Sequence, residues 1–166
     1  MIELRNAYLF GIPPSNWLAR FACKVVGAHT FHWGILICKD KDGWLTSESL
    51  GKGTAVSRFV YPVAHIYRIK DLDFVPTTPM LLSFHSWQGD TVYDMPVNFL
   101  SGIWFLLKHY LKIAIPIISN HTYNCQEWVC YMASCLGVPL IPHDEYPYCK
   151  NLENSQALEY LGEFRQ

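Results

Sequence analysis

Between residues 15 and 38 the chain changes its hydrophobic period. Trp17, Leu18, Phe21, Ala22, Val25 and Val26 recur at helical spacing, with Ser15 available as a cap after Pro13-Pro14 and Gly27 as a stop. Next, "FHWGILIC" (31–38) reads as a buried strand, "KDKDG" as a polar loop with Gly43 suited to a positive φ, and "WLTSES" as the returning strand. "TAVSRFV" and "VAHIYRI" predict two more strands. A mixed helical stretch covers about 77–89, with "TVYDMP" and the apolar run 99–118 after it. A helix is predicted over 125–136, ended by Gly137 with Pro139 beyond, and the tail "NSQALEYLGEFR" predicts a short terminal helix. The sum is an α+β domain with helices at both ends and an antiparallel meander between them.

Composition narrows the picture. At 166 residues, without repeat or linker, the chain reads as one domain over 1–166. Charged residues make up 16%, below the roughly 25% of an average soluble domain, while 51% are apolar. With a net charge of −1, nothing suggests a nucleic-acid surface or a polybasic membrane anchor. The low charge fits a well-filled core plus an exposed apolar groove or docking face. Lys108, His109 and Lys112 lie near the middle of 99–118, where each charge costs about 2.5–3.5 kcal/mol on insertion scales, and Pro116 interrupts its end. That run reads as a buried or surface-docking helix rather than a membrane span. Glu3 and Pro13-Pro14 make the N-terminus unlike a signal peptide, so the expected setting is cytoplasmic or virion-carried.

The six cysteines include no C-x-x-C pair, and Cys125, Cys130 and Cys135 are rotated by about 140° per step on a helix. Neither a zinc cluster nor a disulfide framework is visible. His65, His85, His109, His121 and His143 are scattered without ligand spacing, so no metal or cofactor is implied.

Three residues carry candidate chemistry. In "YNCQEWVCYMAS", Asn124 is a good N-cap and Glu127 a capping-box partner, which places Cys125 in the first helical turn. Unpaired N–H groups and the helix dipole favour an anion there, so a thiolate is more readily formed. The Cys125 N–H can also face an oxyanion. The competing reading is a buried apolar cysteine. Alternation puts His32, Gly34, Leu36 and Cys38 on one strand face and Phe31, Trp33, Ile35 and Ile37 on the other. His32 is either a catalytic imidazole or a satisfied core histidine. Gly34, next on its face, leaves room for another backbone or a substrate.

A catalytic imidazole needs an acceptor on its second nitrogen. Glu48 lies on the returning strand. An odd loop places it on the face of His32, an even one places Ser47 or Ser49 there. With a five-residue loop, Lys39–Gly43, Cys38 pairs with Trp44 and Glu48 falls opposite Gly34. Glu48 is then a diagonal neighbour of His32, roughly 7–8 Å away between α-carbons. The alternative is an exposed strand glutamate.

With these residues in order, the chain resembles a known group. "SNWLARFACKVVGAHTFHWGILI", "WLTSESLGKGTAV", "YD" and "YNCQEWV" are similar to motifs of the permuted papain-like proteins of the NlpC superfamily, YiiX-like branch. The lecithin:retinol acyltransferase-like proteins belong to the same permuted set. The resemblance spans about 10–140 and rests on the ordered set of short motifs. It implies a circularly permuted papain-like (NlpC-type) fold, with an antiparallel sheet packed against the cysteine helix. It further implies Cys125 as nucleophile, His32 as general base, Glu48 as orienting group and Tyr93 as an aid to the oxyanion site. Two departures bear on substrate: Gln126-Glu127 comes after the cysteine where the branch usually has serine-glutamate, and the segment from Asp94 to Cys125 is long and apolar.

The function expected by resemblance is a cysteine hydrolase cutting an amide bond, such as a cell-wall peptide. A small phage-encoded protein released by lysis or carried in a virion would fit. The alternatives are a lipid-type acyl hydrolase or acyltransferase, docking to a membrane or protein through 99–118, and a non-catalytic binding or assembly module.

Overall fold

The computed structural model describes residues 2–50, 53–87, 123–142, 145 and 147–166. In chain order the elements are β1 (Leu9–Ile12), α1 (Trp17–Val26), β2 (His32–Asp40), β3 (Gly43–Leu50), β4 (Gly53–Arg58), β5 (Val63–Ile69), α2 (Thr78–Trp87), α3 (Cys125–Cys135), α4 (Cys149–Glu153) and β6 (Leu158–Arg165). The strands form one six-stranded sheet in the order β4-β3-β2-β1-β5-β6, with every described pairing antiparallel. The molecule is a mixed α+β structure.

Alternation along the strands builds a core on each face. Leu9, Trp33, Ile35, Ile37, Tyr67 and Ile69 pack with Trp128, Val129, Met132 and Ala133 of α3, with Leu81 and Phe84 of α2 and with Leu152 of α4. On the opposite face Phe10, Leu36, Phe59, Ala64 and Ile66 form a second cluster. Leu9 and Phe10, adjacent in β1, thus serve different cores, and β1 stitches the β2–β3–β4 meander to β5 and β6.

The β2–β3 hairpin differs from expectation in a way that matters for the site. Asp40 pairs with Gly43, leaving a two-residue turn rather than a five-residue loop. Cys38 therefore pairs with Leu45, and Lys39 takes Trp44. A two-residue turn alone would put Glu48 on the wrong face. A bulge between Leu36 and Cys38 absorbs Ile37, restores the parity and brings Glu48 opposite Gly34. The same bulge turns Cys38 away from the face of His32, and it packs against the α3-side core.

Two further corrections concern ends. Asn16, not Ser15, caps α1: its side chain accepts from the Ala19 N–H at 2.8 Å. Only Ala19 and Cys23 of α1 are buried, while Trp17, Leu18 and Phe21 are exposed. The tail 154–165 is not a terminal helix; after the short α4 it forms β6 on the open side of β5. Gly162, at φ 125°, sits in β6 beside a bulge at Leu161. A glycine there would cost a helix about 1 kcal/mol, whereas a bulge accommodates it. Among the described residues no helix is long and apolar enough to cross a membrane. The run 99–118 and Tyr93 lie outside the described residues.

Candidate active site

The helix start is built as its sequence indicates. Asn124 accepts from the Glu127 N–H at 2.8 Å, and Glu127 Oε2 accepts from the Asn124 N–H at 2.8 Å, a complete capping box. Cys125 is therefore the first residue of α3, and its side chain is buried. The first-turn N–H groups point out of the helix beside it.

The histidine and the acid meet from adjacent strands. His32 Nε2 lies 2.7 Å from Glu48 Oε2. Glu48 is 1% exposed, yet its carboxylate is saturated. Oε2 also accepts from the Tyr61 hydroxyl at 2.5 Å, and Oε1 accepts from Thr46 Oγ1 at 2.5 Å and Ser57 Oγ at 3.2 Å. Burial alone would push the Glu48 carboxyl up, but hydrogen bonds from His32, Thr46 and Tyr61 hold it below its ordinary value. Donation from Nε2 to the carboxylate leaves Nδ1 as the nitrogen available to Cys125.

Burial opposes the imidazolium form of His32. The charge of Cys125 and its side-chain hydrogen bond to the ring, with Glu48 next, outweigh burial and raise His32 to about 10. Cys125 and Glu48 on its two sides thus favour the protonated ring over what burial alone would allow. Burial and Glu48 push the Tyr61 phenol far up, so Tyr61 remains a proton donor to the carboxylate.

Strand β3 places both halves of the site. Thr46 and Glu48 face the carboxylate network, whereas Ser47 and Ser49 face α3. Trp128 Nε1 donates to Ser47 Oγ at 2.9 Å, and Ser47 Oγ lies 2.8 Å from His85 Nδ1 on α2. Ser49 Oγ donates to the Tyr123 carbonyl at 2.6 Å, just ahead of the Asn124 cap. One strand therefore holds the acid by one face and the cysteine helix by the other. Gly34 has its place here for a different reason than expected. A Cβ on it would sit 2.4 Å from Phe10 Cζ and 2.7 Å from Glu48 Cγ, so the space is taken by those two side chains, not by a substrate or backbone.

Of the residues singled out from sequence, Cys125, His32 and Glu48 come together, and Tyr93 falls outside the described residues. Tyr61 is the addition. It stands in the β4–β5 connection, and its ring centroid is 5.9 Å from that of His32. Its sequence signal is a tyrosine before Pro62, which says nothing about reach. His65 bonds Tyr160 at 2.9 Å on the β5–β6 side. All six cysteines are free thiols, and among the described residues no group of His, Cys, Asp or Glu could hold a metal ion. Compared with known proteins, the chain matches no family model and no curated protein.

Proposed function

We propose that the protein is a cysteine-dependent hydrolase in which Cys125, His32 and Glu48 act on a carbonyl through an acyl-enzyme. One observation carries this reading: a single imidazole is held through Nε2 by a buried carboxylate while it is coupled to a cysteine at the start of a helix. The Cys125 sulfur attacks the carbonyl carbon as His32 takes the thiol proton, and the carbonyl electron pair moves to oxygen, facing the N–H of Cys125. Collapse expels the leaving group, which takes the proton from His32. His32 then accepts a proton from water as that water attacks the thioester, releasing the acid product and the thiol. Glu48 fixes the tautomer and stabilises the imidazolium throughout.

The fold we propose is the circularly permuted papain-like one of the NlpC superfamily. Its support is the chain order His32, Glu48, Cys125 and the antiparallel sheet packed against the cysteine helix. That resemblance makes a peptide amide, such as a cell-wall stem peptide, the first substrate class. The test is the pH dependence of Cys125 alkylation by iodoacetamide, mapped by peptide mass spectrometry, in wild type, His32→Ala and Glu48→Gln. It is paired with a screen of wall peptides and acyl esters. Alkylation that depends on both residues, with turnover of one substrate class, supports the reading. A slow thiol indifferent to both substitutions overturns it and favours a binding or assembly module.

A specific surface favours a second reading, a lipid-type acyl hydrolase or acyltransferase. Trp17, Leu18 and Phe21 on α1 are 78%, 61% and 61% exposed, and Phe31, beside His32, is 44% exposed. Arg20 and Lys24 flank them, and α1 contains no acid. Exposed aromatics beside basic residues suit an anionic lipid surface. Co-sedimentation with anionic but not neutral vesicles, lost in Trp17→Ser/Phe21→Ser, is the expected result. No binding to either vesicle removes this reading.

A further inference from the structure

The trio does not account for a second buried carboxylate. Glu153, the last residue of α4, is 6% exposed at its side chain. Its Oε1 accepts from the His29 N–H at 2.7 Å, the Thr30 N–H at 2.6 Å and Thr30 Oγ1 at 2.7 Å. Its Oε2 is buried, has no hydrogen-bond partner among the described residues, and lies 3.9 Å from Lys150 Nζ. Closing a short α1–β2 connection does not require a buried charge, since turn hydrogen bonds or apolar packing would suffice. A carboxylate left half-satisfied is an expensive way to hold a loop.

The other end of α4 reaches the same segment. Cys149 Sγ receives Gln126 Nε2 at 2.8 Å and donates to the Phe31 carbonyl at 3.5 Å, and Gln126 Nε2 is also 3.4 Å from that carbonyl. Gln126 and Cys149 are both buried. Residues 29, 30 and 31 immediately precede His32, and Gln126 comes directly after Cys125. Through Cys149 and Glu153, its two end residues, α4 thus grips the chain beside both members of the pair. β2 begins only at His32; ahead of it the Phe31 N–H donates to the Ile12 carbonyl at 2.8 Å, Cys23 Sγ donates to the Thr30 carbonyl at 3.4 Å, and Thr30 packs on Gly11 of β1, so α4 supplies the side-chain carboxylate and amide-linked contacts of this segment.

We infer that Glu153, acting through residues 29–31 and seconded by Gln126, is a positioning residue that sets the approach of His32 to Cys125. This rests on the reading of those two as a catalytic pair. Removing the Oε1 grip frees the strand opener to drift, and a displacement on the order of 1 Å is enough to cost about 100-fold in a positioned reaction. The charge has a second effect: after burial itself, Glu153 helps hold the Cys23 thiol up, at about 11.

The test is a double-mutant cycle on Cys125 alkylation at pH 6.5, with thermal melts run alongside. In the wild-type background His32→Ala is expected to slow alkylation about tenfold or more. In a Glu153→Ala background whose melt is cooperative, His32→Ala is expected to change the rate by less than about twofold. Glu153→Gln keeps a carbonyl oxygen facing His29 and Thr30 and is expected to restore the His32 dependence. Equal effects of His32→Ala in both backgrounds overturn the inference while leaving the catalytic pair standing. No effect of His32→Ala in wild type removes the pair and the inference with it. If Glu153→Ala does not fold, Gln126→Ala takes its place in the cycle, with the same loss of coupling expected and additivity again overturning the inference.

Discussion

Replacing Glu48 by glutamine preserves shape and removes one charge, and the hydrogen bonds around the carboxylate determine the outcome. The amide has two orientations. With its nitrogen toward Thr46 and Ser57, both hydroxyls can turn to accept, and Thr46 has the Ser57 carbonyl at 3.2 Å as an alternative acceptor. The amide oxygen then still takes Tyr61 and His32 Nε2, so the tautomer is kept and only charge is lost. In the other orientation the nitrogen faces Nε2, the ring proton moves to Nδ1, and the imidazole can no longer take a proton from Cys125. The first orientation leaves fewer groups unpaired and should prevail. A hydrogen bond to a charged group contributes about 1.5–3 kcal/mol, and since His32 is partly exposed we take about 2–3 kcal/mol as the ceiling, or roughly 30–150-fold. The flipped orientation would cost on the order of 10⁴ in turnover, the scale seen when an orienting carboxylate is made an amide. The assay is the second-order rate of iodoacetamide with Cys125 across pH 5–9, read at the peptide level. Free cysteine, with a pKa of about 8.5, is roughly 1% thiolate at pH 6.5, so loss of all activation by the imidazole would slow alkylation there by at most about 100-fold. A folded Glu48→Gln protein alkylated within about twofold of wild type over the whole range would refute the coupling from acid to imidazole to sulfur.

Tyr61→Phe removes one donor from a buried carboxylate, so a destabilisation of about 1.5–3 kcal/mol in urea melts is expected, with Glu48→Gln/Tyr61→Phe less than additive. Gly34→Ala forces a Cβ into Phe10 and Glu48, costing about 1–3 kcal/mol and slowing Cys125 alkylation; wild-type melting and reactivity would contradict the packing. The pH dependence of stability comes from two opposite shifts. Glu48 is held below its ordinary 4.5, so its contribution is present above that pH and lost on acidification. His32 is raised from 6.5 to about 10, so its contribution is complete below 6.5 and fades as pH climbs to about 10. The melting difference between wild type and His32→Ala should therefore be largest near pH 5–6 and close by about pH 10; a flat difference would contradict the shift.

The readable parts of the site are those whose chemistry is local. The Asn124–Glu127 capping box needs four consecutive residues, and it forms as the sequence indicates. Strand β5 is legible to the residue because Pro62 precedes it, Lys70-Asp71 end it, and Val63, Ile66, Tyr67 and Ile69 all favour a strand. Register is another matter. The expected pairing of Glu48 with Gly34 holds, but through an even turn plus a bulge rather than an odd loop. Ile35-Leu36-Ile37-Cys38 is a continuous apolar run, so hydrophobicity carries no parity signal where the bulge falls. Strand β1 escapes a sequence reading because four residues between Tyr8 and Pro13 give no period to read, although they hold the middle of the sheet. Tyr61 escapes it because its contact depends on where β4 ends relative to β3. The tail resembles a helix because Leu158, Leu161 and Phe164 fit a helical spacing, while β5 offers a ladder that a lone helix cannot match.

Since apolar pattern does not specify the register, the buried polar quartet Thr46-Ser47-Glu48-Ser49 must. All four are 1% exposed or less, and each is hydrogen-bonded on its own face. A slip of one residue would turn Glu48 into the core of Trp128 and Met132, with its charge unpartnered, and turn Ser47 and Ser49 toward His32. An isolated carboxylate in such a core is far more costly than a misplaced leucine, so the quartet discriminates between registers more sharply than an apolar strand would. Because Ser47 and Ser49 also hold α3, the same choice that brings Glu48 to His32 brings the start of the cysteine helix to its place. The site and the sheet register are therefore one structural decision, and a variant that loosens the first is expected to broaden the unfolding transition of the second.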